Sequence, residues 1–277
     1  MKEKIIFYSK TIQIDDIGFA NINCNDNKLY LKERIDLSNY TSVISIIVSH
    51  PHVSLQSISK NQVYFSSVSW GKDYHLVLKE KMQLLVNYIK LFYPKLKYKI
   101  LVDNHPLDDK YLAYLSGLGF YGRNNLLIND KFGSYIFIGN ILTNLPIEED
   151  KPLTKQCYNC KLCVAACPTK ALTNKYNYTK CLAYLTQSKT LTKEQINEFN
   201  NCIYGCDICS DVCPYNKINY THQEAFKPIG IEFIDVDKYK SMTNKEFNEK
   251  YGILSGSWRG KNIIERNINI YKERRKK

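Results

Sequence analysis

The cysteine spacing in the second half of the chain limits its fold more than any other feature. Nine of the ten cysteines lie between positions 157 and 213. A first run has the spacing C-x2-C-x2-C-x3-C-P, at Cys157, Cys160, Cys163 and Cys167. A second run places Cys206, Cys209 and Cys213 before another proline. This pattern is typical of bacterial ferredoxins with two 4Fe–4S clusters, in which the fourth cysteine of a run binds the other cluster.

The same spacing assigns most of the cluster ligands. We expect the first cluster to be held by Cys157, Cys160, Cys163 and Cys213. Three ligands of the second cluster are then Cys206, Cys209 and Cys167. Its fourth ligand stays open, because position 203 is Ile203 and both Cys202 and Cys181 lie upstream. The isolated Cys24 is expected to be a buried apolar residue.

Two other uses of cysteine fit the chain less well. A disulfide framework is typical of small secreted chains, whereas this one has 277 residues and no apolar signal-peptide core at its start. Zinc sites use paired C-x2-C knuckles and rarely a third cysteine at the same step. No apolar run reaches about 18 residues, so we expect no membrane span. Reduced thiols and clusters favour the cytoplasm.

The charge of the chain suggests an anionic partner. The formal net charge is +12. A basic iron–sulfur protein is a candidate for nucleic-acid binding. A lysine-rich composition across a whole proteome would give the same charge, and the high content of Asn, Ile and Tyr fits that alternative.

Residues 1–150 show a mixed pattern of strands and helices. Strands are predicted over residues 42–49, 98–102 and 134–142, and helices over residues 73–93 and 107–115. The second strand delivers Asp103 to its C-terminal end, where α/β folds usually bind ligands. The alternation favours an α/β or α+β domain.

The composition divides the chain into three parts. We expect a mixed domain of helices and strands over residues 1–150, a ferredoxin-like cluster domain over 151–222 and a basic helical tail over 223–277. Residues 147–152 have the charge and prolines of a linker. The glycine-rich stretch 117–125 is interpreted as a ligand loop, with a plain turn as the alternative. The last helix is interpreted as a solvated surface helix, with a phosphate contact by its basic end at residues 272–277 as the alternative.

Several motifs occur in the order found in one enzyme family. Residues 71–75 read G-K-D-Y-H and residues 117–128 read G-L-G-F-Y-G-R-N-N-L-L-I. Residues 203–216 read I-Y-G-C-D-x-C-x3-C-P-x-N, and 102–106 read V-D-x2-P. These motifs resemble those of epoxyqueuosine reductases, and the likeness extends over residues 34–269.

The resemblance implies an α+β fold and a specific chemistry. A cobalamin-binding α/β domain, similar to flavin-dependent nitroreductases, would be followed by the double 4Fe–4S domain and a short helical tail. The family is an oxidoreductase that reduces epoxyqueuosine in tRNA to queuosine. Electrons pass from the two clusters to cobalamin, and an external low-potential donor supplies them.

The resemblance also implies roles for individual residues. Asp103 matches the catalytic acid of the family, and we expect burial in an apolar stretch to raise its pKa. A helix N-cap is the alternative role for this residue. Cys181 matches the remaining cluster ligand. Contacts to cobalamin are implied for Arg34, Asp103, Leu127, Ile138, Ile141, Cys206 and Asp207. No axial histidine is expected, because the D-x-H-x-x-G signature is absent.

The chain resembles a short form of this family. Larger members carry a C-terminal helical-repeat domain that helps to hold tRNA, and we expect this form to lack it and to be a monomer. One alternative is a corrinoid iron–sulfur reductase that acts on a small molecule, which the short C-terminus favours. A second is a two-cluster electron carrier without chemistry of its own, which would leave Asp103 and the stretch 117–128 unexplained.

Overall fold

The computed structural model describes residues 1–31, 33–52, 58–216 and 223–276. The N-terminal half contains α1 (Lys2–Thr11), β1 (Asp16–Asn21), β2 (Ser42–Ser49), β3 (Gln62–Phe65), α2 (Tyr74–Lys90), β4 (Tyr98–Leu101), α3 (Asp109–Leu115), β5 (Phe120–Tyr121), β6 (Leu127–Ile128) and β7 (Ile136–Thr143). The C-terminal half contains α4 (Leu162–Ala166), α5 (Leu182–Leu185), α6 (Lys193–Asn197), β8 (Cys202–Tyr204), α7 (Ile208–Asp211), β9 (Phe233–Asp235), α8 (Asn244–Tyr251) and α9 (Lys261–Arg275). The mixed architecture agrees with the predicted combination of helices and strands.

Four strands form the main sheet in the order β1–β2–β7–β4, and each neighbouring pair is antiparallel. All eight residues of β2 are buried, and its Val and Ile residues suit a strand that is covered on both faces. The antiparallel pairing corrects one expectation. Asp103 follows β4 at the sheet edge, so the rule for ligand sites at the ends of parallel strands does not explain its position.

Helix α2 covers one face of this sheet. The side chain of Asp73 caps its start by accepting a hydrogen bond from the backbone N–H of His75 at 2.9 Å. Apolar side chains recur along the helix at the spacing of one face, and Leu78, Met82 and Leu85 are fully buried in a core shared with the sheet. The predicted helix over residues 73–93 is confirmed with slightly shorter bounds.

The other face carries α3 and a short hairpin. Strand β5 lies in the glycine-rich stretch 117–125 and pairs antiparallel with β6, which directly follows that stretch. A Cβ atom on Gly119 would lie 2.6 Å from the carbonyl oxygen of Ile128, so this position requires glycine for close backbone packing. Glycine at this position therefore serves the packing of two strands against each other.

The segment that was expected to link two domains packs along β1. The backbone N–H of Asp150 donates to the carbonyl oxygen of Phe19 at 2.7 Å. The Asp150 side chain accepts from the Phe19 N–H at 3.0 Å and pairs with Lys2 at 2.6 Å. These contacts fix the exit of the chain from the first 150 residues.

A second sheet joins distant parts of the chain in the order β8–β3–β9. Strand β3 is parallel to β8 and antiparallel to β9. Helix α9 packs against this unit through Ile264 and Ile268, which are fully buried. Arg266 donates to the carbonyl oxygen of Ser188 at 2.6 Å, and Arg275 pairs with Asp237. The expectation of a solvated surface helix is therefore wrong, because this helix supplies part of a core.

Among the described residues, no helix combines the length and the apolar character needed to cross a bilayer.

Candidate redox active site

A cavity with a volume of ≈ 730 Å³ lies between the main sheet, the turn after β8 and the residues before α9. This volume is within the range of small-molecule and cofactor sites. Five of the residues predicted to contact the cofactor line it together: Asp103, Leu127, Ile138, Cys206 and Asp207. The fold thus brings together side chains that are far apart in the sequence. We call this space the main cavity.

Two predicted cofactor contacts lie elsewhere. Ile141 is 1% exposed and belongs to the core beneath α2. Because side chains alternate along a strand, Ile138 and Ile141 point to opposite faces of β7. Arg34 is exposed, bonds to the side chain of Asn27 and lies over the ring of Tyr30. Neither Ile141 nor Arg34 is among the described residues that line the main cavity.

Asp103 lies in a turn with left-handed backbone geometry. The φ angles of Asp103 and Asn104 are 48° and 36°, a region that Asp and Asn tolerate better than most residues. The Asp103 backbone N–H donates to Oδ2 of Asp109 at 3.2 Å. The other oxygen of Asp109 accepts a hydrogen bond from the Asn140 side chain at 2.5 Å. The turn is thereby tied to the main sheet.

His75 connects Asp103 to the start of α2. Its Nδ1 lies 2.7 Å from Oδ1 of Asp73, and its Nε2 lies 3.6 Å from Oδ2 of Asp103. The hydroxyl of Tyr74 lies 3.4 Å from the same Asp103 oxygen. The interactions with Asp103 and Asp73 raise the pKa of His75 to about 9. His75 therefore carries a proton at neutral pH.

The structure corrects the expected chemistry of Asp103. Its pKa lies below the ordinary value, with His75 as the largest cause. Its side chain is 66% exposed, so water also solvates the carboxylate. The alternative role as a helix cap is wrong as well. Asp108 caps α3 by accepting hydrogen bonds from the backbone N–H groups of Lys110 and Tyr111.

Asp207 is the buried acid of the main cavity. It is 4% exposed, and its two oxygens accept hydrogen bonds from the backbone N–H and the hydroxyl of Ser67 at 2.9 and 2.8 Å. Burial raises the pKa of Asp207. The hydroxyl of Tyr135, which also lines this cavity, is buried without a hydrogen-bond partner among the described residues. Such an orphaned donor beside a cavity fits a bound molecule with polar groups.

Four cysteines meet at a second, smaller cavity: Cys157, Cys160, Cys163 and Cys213. We call them the first cysteine group. Cys163 is buried and Cys160 is exposed, so the group reaches the molecular surface. The spacing argument assigned these four residues to one cluster, and the fold brings them together from both cysteine runs.

The remaining predicted ligands form the second cysteine group. Cys209 is half-buried. Desolvation is the largest cause that raises its pKa, and the neighbouring Cys181 and Cys167 contribute further, which places these three side chains near one another. Cys206 interacts with Cys209 and also lines the main cavity. Cys202 is instead fully buried in β8, with its sulfur directed at the backbone carbonyls of the following turn. This arrangement favours Cys181 over Cys202 as the fourth ligand of the second cluster.

The donor set fits iron–sulfur clusters. All eight predicted cysteine ligands are free thiols. Within the part of the chain that the structure describes, no three His, Cys, Asp or Glu side chains converge as they would around a single metal ion. Each thiolate of a 4Fe–4S cube binds a different iron, so its ligands stand apart. Cys24 is exposed, and its expected burial is wrong.

Sequence reasoning missed the wall that the C-terminal segment contributes. Ser255 and Trp258 line the main cavity. The indole N–H of Trp258 donates to the hydroxyl of Tyr204 at 3.1 Å, and the Arg259 guanidinium lies 3.8 Å from the Trp258 ring centroid. In the sequence, the signal for this wall is the glycine at position 256. The structure gives the reason for it, because a Cβ atom there would lie 2.7 Å from Oγ of Ser69.

Two cysteine groups beside a cavity that contains a protonated His–Asp pair indicate an iron–sulfur oxidoreductase. A family model described as "4Fe-4S double cluster binding domain" matches residues 156–216. A second, described as "Epoxyqueuosine reductase QueG", matches residues 34–104.

Individual relatives extend these matches over most of the chain. An epoxyqueuosine reductase of Bacillus cereus is 35% identical over 307 aligned positions, which cover 96% of this chain and 78% of the relative. One from Lactococcus garvieae is 39% identical over 259 positions, covering 91% and 73%. A crystal structure of epoxyqueuosine reductase with an epoxyqueuosine-modified tRNA-Tyr stem loop is similar with a TM-score of 0.88 and 32% identity, covering 98% of this chain and 80% of that one. This chain belongs to the epoxyqueuosine reductase family.

Proposed function

We propose that this protein reduces epoxyqueuosine in tRNA to queuosine. One observation carries the proposal. The main cavity is lined by Asp103 with its protonated partner His75, and also by Cys206, which belongs to the second cysteine group. A site for reductive chemistry needs a proton source and an electron source at one place. The names of the relatives and the solved tRNA stem-loop structure of a similar protein support the substrate.

Two 4Fe–4S clusters and cobalamin are the proposed cofactors. The first cysteine group holds one cluster, and Cys167, Cys181, Cys206 and Cys209 hold the other. Leu127, Ile138 and Asp207, together with Asp103 and Cys206, contact cobalamin in the main cavity, whose orphaned Tyr135 hydroxyl offers a further polar contact. The clusters supply single electrons at low potential, and cobalamin, when bound, supplies a reducible metal centre for the bond-breaking step.

The protein's own contribution is the control of protons. Removal of the epoxide oxygen as water consumes two electrons and two protons, and the departing oxygen must be protonated. His75 holds one proton between Asp73 and Asp103. Filling the main cavity removes water from Asp103, and desolvation raises the pKa of a carboxyl group. Asp103 then becomes the acid that passes the proton on, with His75 as its reservoir.

The proposal includes the organisation of the chain. Residues 1–150 form a cobalamin-binding part with a nitroreductase-like arrangement, residues 151–222 form the cluster domain, and residues 223–277 form a C-terminal helical part. The four-stranded sheet with helices on both faces supports the first assignment. Free cysteines and clusters persist where thiols stay reduced, so we place the reaction in the cytoplasm.

The test is a direct assay of the product. The protein is reconstituted anaerobically with iron, sulfide and cobalamin and incubated with an epoxyqueuosine-containing tRNA stem loop and titanium(III) citrate. Mass spectrometry of the digested nucleosides should show queuosine. Asp103→Asn should lower the rate by roughly 100-fold or more, the scale of a lost general acid. Asp237→Asn, which alters a carboxylate paired with Arg275 outside the cavity, is the matched control. Cobalamin binding without queuosine in the wild type would refute the proposal.

A further inference from the structure

The cluster segment carries charge of one sign. Residues 151–193 contain eight lysines and none of the 27 acidic residues of the chain. All eight lysines are exposed. Among the described residues, Lys155 is the one member of this set with a carboxylate at ion-pair distance, 2.7 Å from Asp130. The segment therefore presents positive charge that the fold leaves largely uncompensated.

Two cationic side chains lie at the first cysteine group. Lys161 and Arg123 line the same cavity as its four sulfur-bearing side chains. Arg123 also donates hydrogen bonds to the carbonyl oxygens of Thr173 and Asn174, at 3.2 and 2.7 Å. These bonds hold the loop that carries Lys175 close to Arg123, which lines the cavity. The exposed Cys160 thus shares its cavity with two cationic side chains, Lys161 and Arg123.

Aromatic rings border the same opening. Tyr158 is 70% exposed and stacks on Tyr215, with ring centroids 4.6 Å apart and planes inclined by 16°. The ammonium group of Lys155 lies 5.6 Å from the Tyr215 ring centroid. Exposed tyrosines supply contact area at low entropic cost, and such rings are frequent anchors of protein interfaces.

The main cavity opens at a different place. No described residue lines both the main cavity and the cavity of the first cysteine group. The second cysteine group lies between them, because Cys206 lines the main cavity and α7, which carries Cys209, packs against α4, which carries Cys163 of the first group. The first cysteine group, at the exposed end of this arrangement, is therefore suited to the entry of electrons. The main cavity, at the other end, is suited to their use in the reaction.

We propose that the lysine-rich face around the first cysteine group is the docking surface for a small acidic one-electron carrier protein. Opposite charge raises the rate of such encounters and orients them. In each encounter the reduced carrier would lose one electron, and a 4Fe–4S cluster held by Cys157, Cys160, Cys163 and Cys213 would accept it. No bond or proton moves in this step. Two encounters supply the two electrons of one epoxide, so the inference rests on the proposed cofactors and deepens the proposed function.

The test compares two triple variants with the same change in charge. Lys155→Gln, Lys170→Gln and Lys175→Gln, all exposed lysines of the segment that do not line the cavity of the first cysteine group, are combined on the proposed face. The control combines Lys240→Gln, Lys245→Gln and Lys250→Gln, which are exposed lysines of the C-terminal part. The probe is a recombinant acidic flavodoxin, reduced to the hydroquinone and mixed anaerobically with reconstituted holoenzyme. Stopped-flow absorbance follows the bleaching of the oxidised clusters.

The first triple variant should lower the second-order rate of cluster reduction by about tenfold at low ionic strength. The difference should vanish at about 0.5 M salt, where charges are screened within a few ångströms. The control should match the wild type. Equal rates for both triple variants would overturn the inference. So would loss of stem-loop RNA binding with unchanged electron uptake, because the face would then contact RNA.

A small reductant separates this inference from the proposed function. Titanium(III) citrate needs no docking surface, so the first triple variant should form queuosine with it at the wild-type rate. A defect with both reductants would mean that the substitutions damaged the clusters, and it would overturn the assignment of these lysines to docking. Absence of queuosine from the wild type with either reductant would refute the proposed function alone, since electron uptake is measured at the clusters.

Discussion

The charge of His75 is the property of the main cavity that a substitution tests most directly. His75→Gln removes a cation that lies 2.7 Å from Asp73 and 3.6 Å from Asp103. The pKa of His75 rises from 6.5 to about 9, and each pKa unit corresponds to about 1.4 kcal/mol. The side chain of Asp103 is 66% exposed, so solvent screens much of this interaction. We expect the charged pair to contribute on the order of 1 kcal/mol to the free energy of unfolding.

The direction of the pH dependence follows from the raised pKa. The folded chain binds the His75 proton more tightly than the unfolded chain does. The stabilisation is therefore fully present below about pH 6.5 and is lost as the pH rises through about 9. In the His75→Gln variant this loss is absent. Because His75 is the proposed proton reservoir, the rate of queuosine formation by the wild type should fall over the same upper range.

The measurements are urea unfolding at pH 6, 7.5 and 9.5 and an NMR titration of the histidine ring protons. One histidine resonance should titrate near pH 9 in the wild type and be missing from His75→Gln. Tyr74→Phe is the control, because it removes an uncharged neighbour of Asp103 and should leave the titration in place. A His75 resonance that titrates at or below pH 6.5 would refute the reasoning. A stability difference that is independent of pH would do so too.

Two further substitutions test the junctions around the cavity. Gly205 has a φ of 78°, and a Cβ atom there would lie 1.9 Å from Oγ of Ser66. Gly205→Ala should therefore lower the free energy of unfolding in urea by roughly 1–3 kcal/mol. An unchanged unfolding midpoint would contradict this contact. Asn267 donates to the backbone carbonyls of Thr186 and Ile203 at 2.7 and 2.8 Å, so Asn267→Ala leaves both buried acceptors unpaired and should cost about 1–3 kcal/mol. A cost within a few tenths of a kcal/mol would show that α9 does not depend on these bonds.

The cysteine groups could be predicted because their signal is local. The spacing of a cluster loop is set by the positions of the irons, so it is preserved in the sequence whatever surrounds it. The crossover that places Cys213 with Cys157 was also predictable, because it follows from the same pattern. Spacing alone left the choice between Cys181 and Cys202 open, and the resemblance to the family indicated Cys181. The structure adds that Cys202 is fully buried in a strand.

The chemistry of Asp103 could not be predicted from its own segment. An apolar strand before a carboxyl group suggests burial, yet the turn carries the side chain into solvent beside His75. That histidine belongs to a helix on another part of the chain, and its charge lowers the pKa of Asp103. Ile141 shows the same limit in a different form. Ile138 and Ile141 are three residues apart on β7, so their side chains point to opposite faces of the sheet. Resemblance of motifs alone does not show to which face a side chain points.

The turn after β8 links the second cysteine group to the main cavity. Gly205 adopts a positive φ and packs against Ser66, Cys206 belongs to the second cysteine group, and Asp207 is bonded twice to Ser67. Of these three consecutive residues, Gly205 makes a close contact, Cys206 is a proposed cluster ligand and Asp207 lines the main cavity. Because Ser66 and Ser67 directly follow β3, the second sheet fixes the position of this turn. The proposed cluster site and the main cavity are therefore coupled through a few short bonds, and in the proposed function this coupling keeps the electron donor beside the substrate.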